Sequence, residues 1–308
     1  MKLIKQSSEI WKSQGSLKDI ERAARLCYKS ENKITKDDSS AIKLVKNLIE
    51  RKHYAMLEFG TDVIITIPSF DIEDLMKIFF SVDNFISMKY CYFQTDGDYI
   101  NITMNPRTTL SLLESFEPIY ESNYKEIKDS YIDACALFWN SLVKAISEIQ
   151  LPNVTKYQDL YCSNKTTHPI EVSNDFTTVK FTTNRGVTHE FVRHNISFAQ
   201  KSTRFCDETG IMEFIEPIWL EKDTLSSKVF DSLLNAIEEA YKFLRKVDWK
   251  PEQAREILTN ALKTEIIAKA TIGEWKHIFG LRCAKSAHPQ MRDLMLDLEK
   301  QFIKQQLM

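Results

Sequence analysis

The chain has 308 residues, 43% of them hydrophobic and 27% charged, with seven glycines and eight prolines. That composition excludes collagen-like, linker-rich and disordered chains. Lys and Arg number 41 against 43 Asp and Glu, a formal charge of -2, which excludes an extended nucleic-acid-binding coat but leaves room for a local basic pocket.

No run approaches the roughly 18 apolar residues of a membrane span. The opening MKLIKQSSEIWKSQGS lacks a continuous apolar core, so no secretion signal is expected. The six cysteines, Cys27, Cys91, Cys135, Cys162, Cys206 and Cys283, form no CxxC pair. That spacing suits reduced thiols in the cytoplasm and offers no zinc knuckle. Six scattered histidines define no metal site.

In chain order, the spacing predicts a helix from Ile20 to Tyr28. A second follows, with Val45, Leu48, Ile49 and His53 on one face, ending near Leu57. TDVIITIPSF reads as a strand stopped at Pro68, and DIEDLMKIFF as a helix capped by Asp71. Tyr90–Gln94 and Tyr99–Met104 form a hairpin around Asp96-Gly97. Helices are expected over 106–118 and 128–149, and an irregular polar stretch over 151–173. A strand over 177–184 leads into helical spacing through GVTHEFVRHNISF, and MEFIEPIWL is extended. Helices are then expected from Ser226 to Lys246 and from Pro251 to Phe279, with Asp248 as the cap of the second and Gly273 inside it. A last helix enters through Pro289.

The densest chemistry is RGVTHEFVRHNISFAQKSTR, from Arg185 to Arg204. If 187–197 is helical, Glu190, Arg193, His194 and Ser197 share a face. If the chain then extends, Gln200, Ser202 and Arg204 point one way and can hold a phosphate and a polar ring. A solvated helix followed by a surface turn accounts for the same run. A second basic group, Arg255, His277, Arg282, Lys285 and Arg292, decorates the C-terminal third. Arg282 follows the apolar IFGL and could enter a pocket. His53 with Glu58 is a third feature, in which His53 alone favours a structural role. Cys206 beside the basic row is either a thiolate nucleophile or a buried thiol. There is no G-x-G-x-x-G, Walker loop or G-x-S-x-G elbow.

RGVTHEFVRHNISFAQKSTRFC resembles the signature of flavin-dependent thymidylate synthases: R-H-R, an interval, then serine with an arginine two places on. RLCYKSENKI, HYAMLEFG and NALKTEIIAKATIGEWKHIFGLRCAKSAHPQMR resemble the same family in the same order. The match departs at Asn195, where the family has arginine. Seven residues separate His194 from Ser202, one fewer than the family pattern, which places a deletion between His194 and Ser197.

The resemblance implies an α+β fold with a twisted sheet and long packed helices, in one domain over 1–308 elaborated at 85–170. It implies conversion of dUMP to dTMP, with 5,10-methylenetetrahydrofolate as carbon donor, NADPH as reductant and FAD as the hydride carrier. Glu190, Arg193, Gln200, Lys201, Ser202, Thr203, Arg204, Arg255 and Arg282 are implied to bind substrate, with Arg282 and Ser202 acting in catalysis. Ser30, His53, Glu58, Arg193, His194, Asn195 and His277 are implied on the flavin side. Gln200 stands where many relatives have glutamate. A homotetramer with shared sites is implied, with no nucleic-acid or membrane partner. A weakened or repurposed nucleotide- or flavin-binding homologue is the alternative that Asn195 raises.

Overall fold

The computed structural model describes residues 1–68, 91–123, 130–152 and 168–308, with the backbone alone at 116–123 and 130–137. The helix expected over DIEDLMKIFF, Tyr90 and most of 151–173 lie outside the described residues.

The N-terminal half begins with two short strands that the sequence reading missed, β1 (Lys2–Ile4) and β2 (Ser7–Trp11). Helix α1 (Ser16–Tyr28) includes the predicted helix and starts a turn earlier. Helix α2 (Ser39–Glu50) ends before His53, which instead precedes a 3-10 segment, Tyr54–Phe59. Then come β3 (Val63–Pro68), β4 (Cys91–Asp96), β5 (Tyr99–Met104), α3 (Pro106–Asn123) and α4 (Ser130–Ile149). The hairpin closes as predicted: Asp96 pairs with Tyr99, and Gly97 takes φ +58°, which glycine adopts without a Cβ penalty.

The C-terminal half runs β6 (Glu171–Val172), β7 (Phe176–Asn184), α5 (Arg185–Phe191), β8 (Ser197–Gln200), β9 (Glu213–Ile215), α6 (Leu225–Lys246), α7 (Pro251–Ala254), β10 (Lys263–Thr271), α8 (Ile272–Arg282) and α9 (Pro289–Lys304). Three expectations are corrected here. The helix expected from Pro251 to Phe279 is broken: Lys263–Thr271 is a strand between β7 and β8, antiparallel to both. The helix expected over 187–197 stops at Phe191, and Ser197 pairs with Lys269 on the sheet. Asp248, expected as a cap, has φ +65° and lies outside the helix; Lys250 is the N-cap residue and Pro251 takes the first turn.

The chain forms two compact units, one from 1–12, 23–32 and 175–308, the other from 13–22 and 33–174. The first holds an antiparallel sheet of order β2-β7-β10-β8 and a parallel pair, β1-β9. Alternation on β7 and β10 turns Val179, Phe181, Ile266, Ala268 and Ala270 into one core with Trp275 and Phe279 of α8 and Met291, Met295, Leu298 and Phe302 of α9. Trp275 donates its indole N–H to the Thr177 carbonyl at 3.0 Å, so its one polar atom is satisfied in the core. Beneath α6, Leu234 and Tyr241 pack with Met212, Phe214, Ala254 and Leu262. The second unit holds a sheet of order β4-β5-β3-β6. There a Cβ on Gly60 would come within 2.6 Å of Ser16 Oγ and 2.7 Å of Pro106 Cγ, so no larger residue fits without a shift.

Candidate active site

Asn184 ends β7 and caps α5, its Oδ1 accepting from Val187 N at 2.8 Å. The seven-residue helix has Arg185 at its start and Glu190 near its end, roughly 7 Å apart along the axis. A cluster of polar side chains gathers at each end.

At the C-terminal end, Arg282 reaches across from the last turn of α8. Its Nε donates to His194 Nε2 at 2.9 Å, its Nη2 to the Glu190 carbonyl at 3.0 Å, and its Nη1 to Glu190 Oε2 at 3.4 Å. All three nitrogens of the guanidinium are therefore engaged, which fixes the plane of the fork. Because His194 Nε2 accepts a hydrogen bond, the ring is neutral with its proton on Nδ1. Burial, then Arg282, then His277 push the imidazole down to about 4. Phe191 meets His194 edge-on at 6.0 Å. Arg193 and Asn195 lie in the exposed turn after α5, and His277 is exposed on α8.

At the N-terminal end, the chain leaves β8 through a turn that carries the rest of the predicted row. Gln200 Nε2 donates to Thr188 Oγ1 at 3.0 Å and to Thr264 Oγ1 at 3.2 Å, so the amide ties α5 to β10. Lys201 is buried and its Nζ lies 2.5 Å from Glu208 Oε1. Ser202 donates its N–H to the Cys27 carbonyl and accepts from Cys206 N, while its Oγ accepts from Arg204 N at 3.2 Å. Thr203 is buried. Arg204 is exposed, pairs with Glu252 at 3.1 Å and lies 5.0 Å over the Phe205 ring. Arg255 is exposed and pairs with Glu256 at 3.7 Å. Arg185 is close enough to Arg255 and Glu208 to feel both charges; burial and Arg255 push its guanidinium down, and Glu208 opposes them. Its Nη1 is buried without a hydrogen-bond partner.

The structure thus brings Glu190, His194 and Arg282 together, with His277 within electrostatic reach, and gathers Gln200, Lys201, Ser202, Thr203, Arg204 and Arg255 around the turn. The shared helical face of Glu190, Arg193, His194 and Ser197 does not exist, since the helix ends first and Ser197 is buried in β8. Ser30 is half-buried just past α1, its N–H bonded to the Arg25 carbonyl. His53 and Glu58 belong to the second unit, where His53 is exposed and the buried Glu58 is ion-paired with Arg107. Cys206 is buried, and burial raises its thiol, which donates to the Cys27 carbonyl at 3.5 Å. It is a packed thiol and not a poised thiolate. The sequence pattern does not mark Glu208, Glu252 or Thr264, which lack a motif, and gives Arg185 no role beyond opening the polar run, although its place directly after a strand-ending Asn marks a helix start.

Among the described residues no cluster of His, Cys, Asp and Glu suits a metal ion, and no helix is long and apolar enough to cross a membrane. The family model described as "Thymidylate synthase complementing protein" matches residues 147–306. The early segments RLCYKSENKI and HYAMLEFG lie outside that match. A flavin-dependent thymidylate synthase of Geobacter sulfurreducens is 33% identical over 116 residues, covering 37% of this chain and 50% of the relative. The protein of the same name from Corynebacterium glutamicum is 31% identical over 130 residues, covering 37% and 51%. That from Pyrococcus furiosus is 34% identical over 114 residues, covering 36% and 47%. The chain therefore spans about half the length of the curated relatives it matches. With the family model matching just over half of its residues, and both polar clusters inside the matched region, the chain belongs to the thymidylate synthase complementing protein family, the flavin-dependent thymidylate synthases.

Proposed function

We propose that this protein converts dUMP to dTMP, taking the carbon from 5,10-methylenetetrahydrofolate and reducing power from NADPH, with FAD as cofactor. The observation that carries this reading is the unpartnered, buried Nη1 of Arg185 within a cationic cluster of the family-matched region. Glu208, Glu252 and Glu256 pair with Lys201, Arg204 and Arg255. Arg185 keeps a donor in reserve, which suits a dianionic phosphate. A buried donor left unmade costs on the order of 1–3 kcal/mol, so an incoming oxygen acceptor gains by filling it.

In this reading Gln200, Lys201, Ser202, Thr203, Arg204 and Arg255 hold the nucleotide. Arg282, already braced by His194 and Glu190, offers its fixed charge to the pyrimidine carbonyl edge, where negative charge develops during the reaction. Glu190 orients Arg282 and balances its charge, and Arg193 frames the same end. Ser202 shapes the turn through its hydroxyl and backbone, and that is the catalytic contribution assigned to it. Neutral His194, Asn195, His277 and Ser30 hold the flavin. In the second unit the carboxylate of Glu58 is engaged by Arg107. When bound, the flavin supplies the redox chemistry, accepting reducing equivalents from NADPH and returning hydride. No protein nucleophile is required, in keeping with the protonated Cys206. Assembly is as a homotetramer.

FAD uptake tests the reading at its first step. Protein equilibrated with FAD and stripped of free dye should retain non-covalent flavin absorbance. Folded protein that retains none contradicts it. Retention of flavin with no dTMP formed would support the repurposed homologue, in which the amide of Asn195 replaces a guanidinium.

A further inference from the structure

Helix α6 carries an apolar seam on the side away from its own core. Leu234, Glu238 and Tyr241 are buried against the unit, whereas Val229, Leu233, Ala236, Ala240, Phe243 and Val247 are all exposed. Leu233 is 57% and Phe243 63% exposed. The steps between these six positions run 4-3-4-3-4, the heptad alternation of a coiled-coil seam. A contiguous exposed apolar stripe of this length marks an interaction surface.

We propose that α6 pairs antiparallel with α6 of a second copy of this chain, about a two-fold axis beside Glu238. The proposal names one contact of the assembly proposed above and rests on that part of the reading. A two-fold interface must be self-complementary, residue i meeting j while j meets i. From Val229 to Val247 this seam reads the same in both directions, with the exposed Leu225 one turn beyond it. Val229 falls opposite Val247, Leu233 opposite Phe243, and Ala236 opposite Ala240, so the small residues sit at the crossing, where two helices approach most closely. The same register sets exposed Lys228 beside exposed Asp248 of the other copy. Glu239 lies next to the axis on one flank and meets its own counterpart, a like-charge contact that works against the pair. The flanks mix signs and lack the cationic border of a membrane-surface helix.

The test uses the full chain, equilibrated with FAD. A zero-length carbodiimide links only touching amines and carboxylates. Within one chain Lys228 and Asp248 are about 30 Å apart along the helix, so a Lys228–Asp248 isopeptide found by mass spectrometry must join two copies. That link is expected. By sedimentation, Leu233→Glu with Phe243→Glu should weaken self-association roughly tenfold or more, and Glu239→Gln should strengthen it, with helix content unchanged in both. Association untouched by the double variant overturns the seam while leaving the assembly standing. A wild-type monomer overturns both. Capture of the helix by anionic vesicles, lost in the double variant, overturns the pairing in favour of a lipid surface.

Discussion

His194 is neutral because burial, the Arg282 guanidinium and His277 all oppose its protonation. Its folded-state value of about 4 lies below the ordinary 6.5. Between those values the unfolded chain binds a proton that the folded chain refuses, so stability falls as pH drops through that window. Above the window His194 contributes no pH dependence. A thermal midpoint measured from pH 7 to pH 4 should fall, and His194→Gln should flatten part of the slope. A His194 imidazole titrating near 6.5 in folded protein, seen by NMR, would contradict the Arg282 contact. Arg282 and Arg204 invite a paired comparison. Loss of either fork should weaken dUMP binding about ten- to hundredfold, from roughly 1.5–3 kcal/mol per charged hydrogen bond, with Arg282→Ala also raising the His194 titration. Calorimetric titration of the folded variants checks this, and unchanged affinity in both refutes their placement. Much of the site was legible. Glu190, His194, Gln200, Ser202 and Arg204 stood in one run, and their residue types pointed to an anionic, planar ligand. Arg282 was separated from that run by most of the C-terminal half, and only the fold of β10 and α8 brings it to His194. Arg185 showed its value only once its buried, unpartnered nitrogen was seen.

At the scale of elements, the largest error has a physical source. KTEIIAKAT has alanines and lysines that suit a helix, and its burial on both sides of a central strand removes the clean alternation that would have marked β structure. The boundary signal was nevertheless present. Thr271 accepts from Glu274 N at 3.1 Å while Glu274 Oε2 accepts from Thr271 N at 2.8 Å, a capping box that starts α8 where the strand ends. Gly273 therefore sits in a first turn and not inside a long helix. Thr271→Ala should cost about 1 kcal/mol. It should also loosen the base of the helix that delivers Arg282, so dUMP affinity should fall with stability. Urea unfolding beside a nucleotide titration would show it, and undiminished stability would mean the cap is idle. By contrast α6, α9 and the β4–β5 hairpin follow their sequence patterns, because each has one buried face or a turn with a single good solution. The strands β1 and β2 were missed because they are short, half-exposed and rich in Lys and Ser.

At the scale of the whole molecule, the proposed function assigns one cluster to a phosphate and the other to a pyrimidine edge, in thymidylate synthesis on a flavin. The most direct measurement follows labelled dUMP by chromatography under anaerobic conditions, with methylenetetrahydrofolate, FAD and NADPH present together and then omitted one at a time. The account predicts dTMP only in the complete mixture, and its retention in a folded Cys206→Ala variant. Formation of dTMP without reductant, or its loss in folded Cys206→Ala, would contradict it.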